Sequence, residues 1–265
     1  MVIEGVSSAV GPDERAARPH TMFTPQGRRI RDVVSYARRG SRMTDERRSV
    51  WSRNADRWWI PDAAVDDKRF ELPARFGRAA PLVVEIGSGI GEATVALAAA
   101  RPDVNVLAFE VWRAGIAETM LRLEANHCDN VRLVSVDAVW SLEHLLGPGS
   151  VTELWTFFPD PWPKSKHHKR RLVGSAFART VASRLAAGGR WRLATDWPEY
   201  AASMVRVLGA EPLLAGGVTP RWHERPMTRF ERRGLRAGRP VTDLTYRRVV
   251  PDELGRTVPP SRDSF

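Results

Sequence analysis

Apolar residues in this chain fall into two rhythms that alternate from about Pro81 to about residue 210. The runs LVVEI (82–86), NVLAF (105–109), VRLVSV (131–136) and VTELWTFF (151–158) are short, branched or aromatic, and bounded by polar or turn residues, which predicts buried strands. RWRLAT (190–195) predicts a fifth. Between them GEATVALAAA, RAGIAETMLRLEANH and RRLVGSAFARTVASRLAA are helix-like; in the last, Val173, Phe177, Val181 and Leu185 recur every four residues on one face. Strand and helix in alternation imply an α/β domain on a mostly parallel sheet, with helices on both faces. No repeat and no linker interrupts residues 81–210.

Residues 1–27 are rich in Gly, Pro, Ser and charge without periodicity, and predict a flexible N-terminal tail. Residues 28–80 read as a basic arm and lead-in; RRIRDVVSYARRGSRMTDERR, interrupted by Gly40, suits an arm that orders on a partner. The core is expected to begin near Pro81 and the domain to run to residue 250, with 251–265 as a C-terminal tail.

Composition adds exclusions. Of 265 residues 43% are hydrophobic, ample for a core. No run approaches the ~18 apolar residues of a membrane span, and MVIEGVSSAV lacks the basic-then-apolar order of a signal peptide, so a cytoplasmic protein without membrane contact is expected. Cys128, the single cysteine, allows no internal disulfide and reads as a small half-buried side chain. The net charge of +10 is uneven. Residues 20–59 hold ten Arg or Lys against four acids, 160–171 five against one, and 221–248 nine against three, leaving the remainder net acidic. Clustered cations suit a phosphate backbone, because each neutralised phosphate releases counterions; on an Arg-rich protein they also read as a solvated face.

The first predicted strand runs into Glu85-Ile86-Gly87-Ser88-Gly89-Ile90-Gly91 and then a helix. Glycines at such a turn let backbone pass close to a ligand at the carboxyl end of a sheet. The spacing is G-x-G-x-G rather than the dinucleotide G-x-G-x-x-G, with an acid two residues ahead of Gly87. A pyrophosphate would be repelled there, whereas S-adenosylmethionine has no phosphate and carries an ammonium and a sulfonium. Glu110, ending the second strand, is placed for ribose hydroxyls; Asp137, ending the third, for an adenine amino group. Each acid alone also reads as a strand-end or helix-cap residue. Together with AAGGRWRLATD ahead of Trp197, these features resemble the Rossmann-like class I SAM-dependent methyltransferases.

After the fourth strand comes FFPDPWPKSKHHKRR, residues 157–171. Pro159 and Pro161 fix the backbone on either side of Asp160 and so hold its carboxylate still. Trp162 suits stacking on a base or packing beneath the loop. This stretch, with RIRDVVSYARRGSRMT, ATDWPEY (194–200) and TRFERRG (228–234), is similar to the bacterial tRNA (guanine-N7)-methyltransferases over about residues 28–248. The chain departs from that pattern in a longer N-terminal tail, in Lys166 where Arg is also common, and in residues 251–265.

The resemblance implies S-adenosylmethionine as cofactor, bound by Glu85, Gly87, Gly89, Gly91, Glu110, Asp137 and Asp160, with Asp160 at the reaction centre. It implies tRNA as partner, contacted through Lys164, Asp196, Thr228, Arg229, Phe230 and Glu231, and guanine 46 of the variable loop as acceptor. Lys166, Lys169, Arg170 and Arg171 are expected on phosphates. Asp196 reads equally as a cap for the helix of WPEYAASMVRVL, and Glu231 as a local partner of Arg232 or Arg233. His167 and His168 lack Cys, Asp or Glu at ligand spacing, so no metal is expected; nor is an obligate protein partner evident. Guanine N7 bears no hydrogen, which makes Asp160 an orienting acceptor rather than a general base. Three rivals stand beside this reading: a methyltransferase for exocyclic amines, a nicotinamide-dependent reductase and a non-enzymatic RNA-binding module.

Overall fold

The structure is a computed structural model that describes residues 43–250. The N-terminal tail, residues 28–42 of the basic arm and the segment 251–265 lie outside the described residues.

Among the described residues eight strands form one sheet. In chain order the elements are α1 (Asp45–Trp58), β1 (Trp59–Ile60), α2 (Leu72–Phe76), β2 (Leu82–Ile86), α3 (Glu92–Ala100), β3 (Asn105–Phe109), α4 (Arg113–Ala125), β4 (Val131–Val134) and α5 (Ala138–Leu145). They continue with β5 (Val151–Phe157), α6 (Ser175–Arg184), β6 (Leu185–Thr195), α7 (Pro198–Gly209), β7 (Leu214–Thr219), α8 (Arg229–Arg236) and β8 (Thr242–Arg248). The sheet order is β1-β4-β3-β2-β5-β6-β8-β7, with β8 antiparallel to both β6 and β7 and the other pairs parallel. Because β2 pairs with β3 on one side and β5 on the other, the winding reverses between β2 and β5. A crevice at the carboxyl ends of the strands follows from that reversal.

Side chains alternate across the sheet and fill a core on each face. Val83, Val106, Ala108 and Trp155 join Trp58 and Met120 on one side; Val84, Ile86, Leu107 and Leu154 join Phe177, Val181 and Tyr200 on the other. β2 and β3 keep the bounds read from their apolar runs, whereas β4 stops at Val134 and β5 at Phe157. The longest expected helix is shortened at both ends. Gly174 caps α6, so Val173 precedes it, and Leu185 opens β6; all four residues of the stripe are nonetheless buried.

The packed core also reaches back beyond Pro81. Trp58 and Ile60 are fully buried, and β1 pairs with β4 at the sheet edge. On the outer side of α1, Arg47, Arg53 and Arg57 pair with Glu118, Glu124 and Asp129, so part of the first basic cluster is neutralised within the protein. Among the described residues no helix is long and apolar enough to cross a membrane.

Candidate active site

The carboxyl ends of β2 to β6 lie along one edge of the sheet and carry most of the residues that the sequence singled out. From β2 the chain passes Glu85 and enters the glycine turn, where the N–H groups of Gly87 and Ser88 donate to Phe109 O at 2.8 and 3.2 Å. The turn is thereby folded across the end of β3. Gly87, Gly89 and Gly91 have φ of 80, 63 and 76°, in the left-handed region. At Gly91 a side chain is excluded twice over, since a Cβ there would also lie 2.5 Å from Thr119 Cγ2 on α4.

Each of the three acids is held. Glu85 is 3% exposed and accepts from the Thr94 hydroxyl. Burial pushes its carboxyl up to about 7; the Thr94 hydrogen bond opposes that shift and the charge of Glu110 adds to it. Glu110 accepts from Gly89 N and Trp112 N, both at 2.8 Å, and so ties β3 to the glycine turn. Asp137 is buried and caps α5 by accepting from Val139 N at 2.9 Å. Its helix-cap reading is therefore realised, at the same edge as the other two.

Beyond β5 the backbone turns sharply around Asp160. Phe158 and Trp162, on either side of Pro159-Asp160-Pro161, have φ of 52 and 44°, values that non-glycine residues seldom adopt. Surrounding contacts must hold that strain, and it falls in the loop that carries the candidate catalytic acid. Phe158 N donates to Ala194 O at 2.7 Å. Asp160 is half-buried and close enough to the buried Tyr200 to act on it: burial pushes the phenol up to about 12, and the charge of Asp160 adds to that shift. The Tyr200 hydroxyl accepts from Val173 N at 3.1 Å, which fixes the far end of the loop.

Between these anchors the basic residues divide. Lys164, Lys166 and Lys169 are exposed. The guanidinium of Arg170 lies over the Trp162 ring, 3.6 Å from its centroid, with His167 at the ring edge. Partial desolvation and the neighbouring charges of Lys166 and Arg170 hold His167 below its ordinary value. Arg171, expected on a phosphate, instead turns inward. Its Nε donates to Pro161 O at 2.9 Å and its guanidinium lies over Tyr200, so it braces the Pro-Asp-Pro turn from below.

Two further expectations change. The N-cap position of α7 belongs to Trp197. Asp196 is gripped instead by Arg239, whose Nε and Nη2 donate to one carboxylate oxygen at 2.8 and 2.6 Å. α8 packs directly on it, since a Cβ on Gly234 would meet Asp196 Cβ at 2.7 Å. Glu231, expected to pair with Arg232 or Arg233, points inward because it occupies the first turn of α8 above the 220–227 loop. There it is 2% exposed and pairs with Arg221 and Arg225. Burial works against its carboxylate, but hydrogen bonds from the two guanidinium groups outweigh it and hold the group below the usual range.

The rest of the α8 start reaches the glycine turn. Thr228 caps the helix by accepting from Glu231 N at 3.4 Å. Arg229 N and Arg232 Nη2 donate to the two oxygens of Glu92, the first residue of α3, each at 2.9 Å. Arg229 and Phe230 approach the face of Gly89, where a Cβ would be 3.8 Å from each. Glu92, Arg225, Arg239 and Asp243 were not singled out by the sequence. Glu92 offered a weak signal, as an acid at a helix start beside the glycines, whereas Arg225 and Arg239 were two among nine cations that only the fold separates.

Residues 79–244 match a family model described as putative methyltransferase. A tRNA (guanine-N(7)-)-methyltransferase of a Nocardioides species is 62% identical over 234 residues, covering 88% of this chain and 94% of that protein. The chain belongs to the tRNA (guanine-N(7)-)-methyltransferase family. A second member, from Cutibacterium acnes, is 49% identical over 83% of this chain and 84% of its own length. The tRNA (guanine-N(7)-)-methyltransferase of Bordetella pertussis is 42% identical over 88% and 91%. Among solved structures, a 16S rRNA (adenine(1408)-N(1))-methyltransferase from Catenulisporales acidiphilia is 18% identical and covers 66% of this chain and 89% of that one, with a TM-score of 0.48. In this member of the tRNA (guanine-N(7)-)-methyltransferase family, the glycine turn, the Pro-Asp-Pro turn and the start of α8 converge on one crevice.

Proposed function

We propose that this chain transfers a methyl group from S-adenosylmethionine to N7 of a guanine in tRNA, guanine 46 of the variable loop. The observation that carries the reading is the convergence at one sheet edge of an acid-lined glycine turn with a rigid turn that presents Asp160 beside exposed lysines.

The residues fit the cofactor. Nothing stands within 4 Å of the position where a Cβ on Gly87 would sit, which leaves an open cradle at the turn. Glu85, Glu110 and Asp137 stand at the same sheet edge and offer a set of acceptors suited to an ammonium, ribose hydroxyls and an adenine amine and unsuited to a pyrophosphate. Bound there, S-adenosylmethionine supplies an electrophilic methyl carbon that the N7 lone pair takes without loss of a proton.

No side chain therefore has to act as a base. Asp160 orients the purine, accepting from N1–H and the exocyclic amine of guanine, with its own position fixed by the prolines, Arg171 and the strained backbone on either side. Holding reactants in line can supply ~7 kcal/mol or more of the acceleration. Lys164, Lys166 and Lys169 sit on flanking phosphates, and the acceptor base is turned out of its stack to reach the crevice.

The test is to incubate the purified protein with methyl-labelled S-adenosylmethionine and unmodified tRNA, then identify the labelled nucleoside by mass spectrometry. 7-Methylguanosine is expected. Label on an exocyclic amine, or no transfer, would overturn the reading.

A further inference from the structure

Arg225, in the loop between β7 and α8, has no exposed side-chain surface. Its guanidinium is clamped from two sides. Nε and Nη2 donate to the two oxygens of Asp243 on β8, both at 2.9 Å, while Nη1 and Nη2 donate to those of Glu231 on α8 at 2.7 and 3.1 Å. Arg221 adds a second pair to Glu231 at 2.9 and 3.1 Å, and Trp222 N donates to Asp243 at 3.4 Å.

This network touches both halves of the crevice. The Arg225 guanidinium lies 5.8 and 5.4 Å from the ring centroids of Phe157 and Phe158, the last residue of β5 and the left-handed residue that leads into Pro159-Asp160-Pro161. Glu231 in turn belongs to the α8 turn whose Arg229 and Phe230 lie against Gly89. A Thr-x-x-Glu helix start ordinarily sends the Glu back to the cap residue's own N–H; here Glu231 is spent on Arg225 and Arg221 instead. Loss of one partner would leave a buried charge uncompensated, so the arrangement is rigid.

We infer that Arg225 is a positioning residue for the methyl transfer, fixing the α8 start over the glycine turn relative to the Phe158 end of the Asp160 loop by its simultaneous grip on Glu231 and Asp243. Lysine keeps the charge but has no planar fork with which to hold two carboxylates bidentately. The inference rests on the proposed methyl transfer, and wild-type turnover in the same assay separates failure of that reading from failure of this one.

The experiment compares wild type, Arg225→Lys and Asp243→Asn, with turnover expressed per S-adenosylhomocysteine-binding site so that unfolded protein does not count. For Arg225→Lys we expect one binding site per chain, tRNA affinity within about threefold, and kcat lower by about 100-fold, the scale on which small misplacements act. Asp243→Asn retains the charge of Arg225 and one good acceptor; it is expected to fall between Arg225→Lys and wild type. A per-site kcat within threefold of wild type for Arg225→Lys would overturn the inference. If that variant does not accumulate as folded protein, wild-type per-site kcat in Asp243→Asn would overturn it equally.

Discussion

Asp160 and Glu85 are carboxyl groups at the same edge of the sheet, yet the fold holds them differently. Asp160 is held in place by backbone: two prolines, two left-handed neighbours and the Arg171 brace. Asp160→Ala should lower kcat by at least about 100-fold while tRNA affinity and the unfolding midpoint stay near wild type, as read by single-turnover transfer, filter binding and thermal melting. Turnover near wild type would remove Asp160 from the reaction. Glu85 is governed by burial, which raises its carboxyl to about 7 in the folded chain. Between the ordinary carboxylate value and that point the folded chain keeps a proton that the unfolded chain has released, so Glu85 makes stability fall as pH rises through the window. Urea unfolding at about pH 5 and about pH 8 should show Glu85→Gln gaining on wild type at the higher pH, by on the order of 3 kcal/mol. An equal difference at both values would contradict the assignment. The strand-end acids were legible in the sequence because strand ends are set by local patterning. Glu231 was not, because its partners Arg221 and Arg225 come from a loop and are indistinguishable by type from the cations beside it.

At the level of elements, the basic segments prove to be of two kinds. In α1 three of the four cations, Arg47, Arg53 and Arg57, are matched to the acids of α4 and of the turn after it, whereas the loop after β5 leaves Lys166 and Lys169 exposed with no ion pair among the described residues. Lys166→Ala with Lys169→Ala should therefore weaken tRNA binding and reduce the slope of log K against log salt by about 2. Arg53→Gln with Arg57→Gln should leave the slope unchanged. Equal slopes in wild type and the lysine variant would argue against the loop as a phosphate clamp. Strands β2 and β3 were readable to the residue because a fully buried parallel strand is a continuous apolar run between turns. α1 was not, since its place in the core depends on Trp58 and on the pairing of β1 with β4, neither of which marks a charge-rich segment in advance. The helix read over residues 170–187 failed at its ends because Val173 and Leu185 serve the same core from a loop and a strand.

In the whole molecule, the reversal of winding between β2 and β5 sets the glycine turn and the Asp160 loop side by side, and α8 closes the group from beyond β7. The α/β class, the parallel sheet and the glycine turn were all legible, since they follow from hydrophobic rhythm and turn chemistry. The antiparallel insertion of β8 between β6 and β7, which brings Asp243 under Arg225, was not, because it depends on pairing across a long loop. The proposed function is decided by where the methyl group goes. The direct measurement is to methylate an unmodified tRNA transcript with the purified protein and cleave the chain at 7-methylguanosine by its chemical lability. A single cut at guanine 46 of the variable loop is the predicted result; cleavage at no guanine would contradict the account.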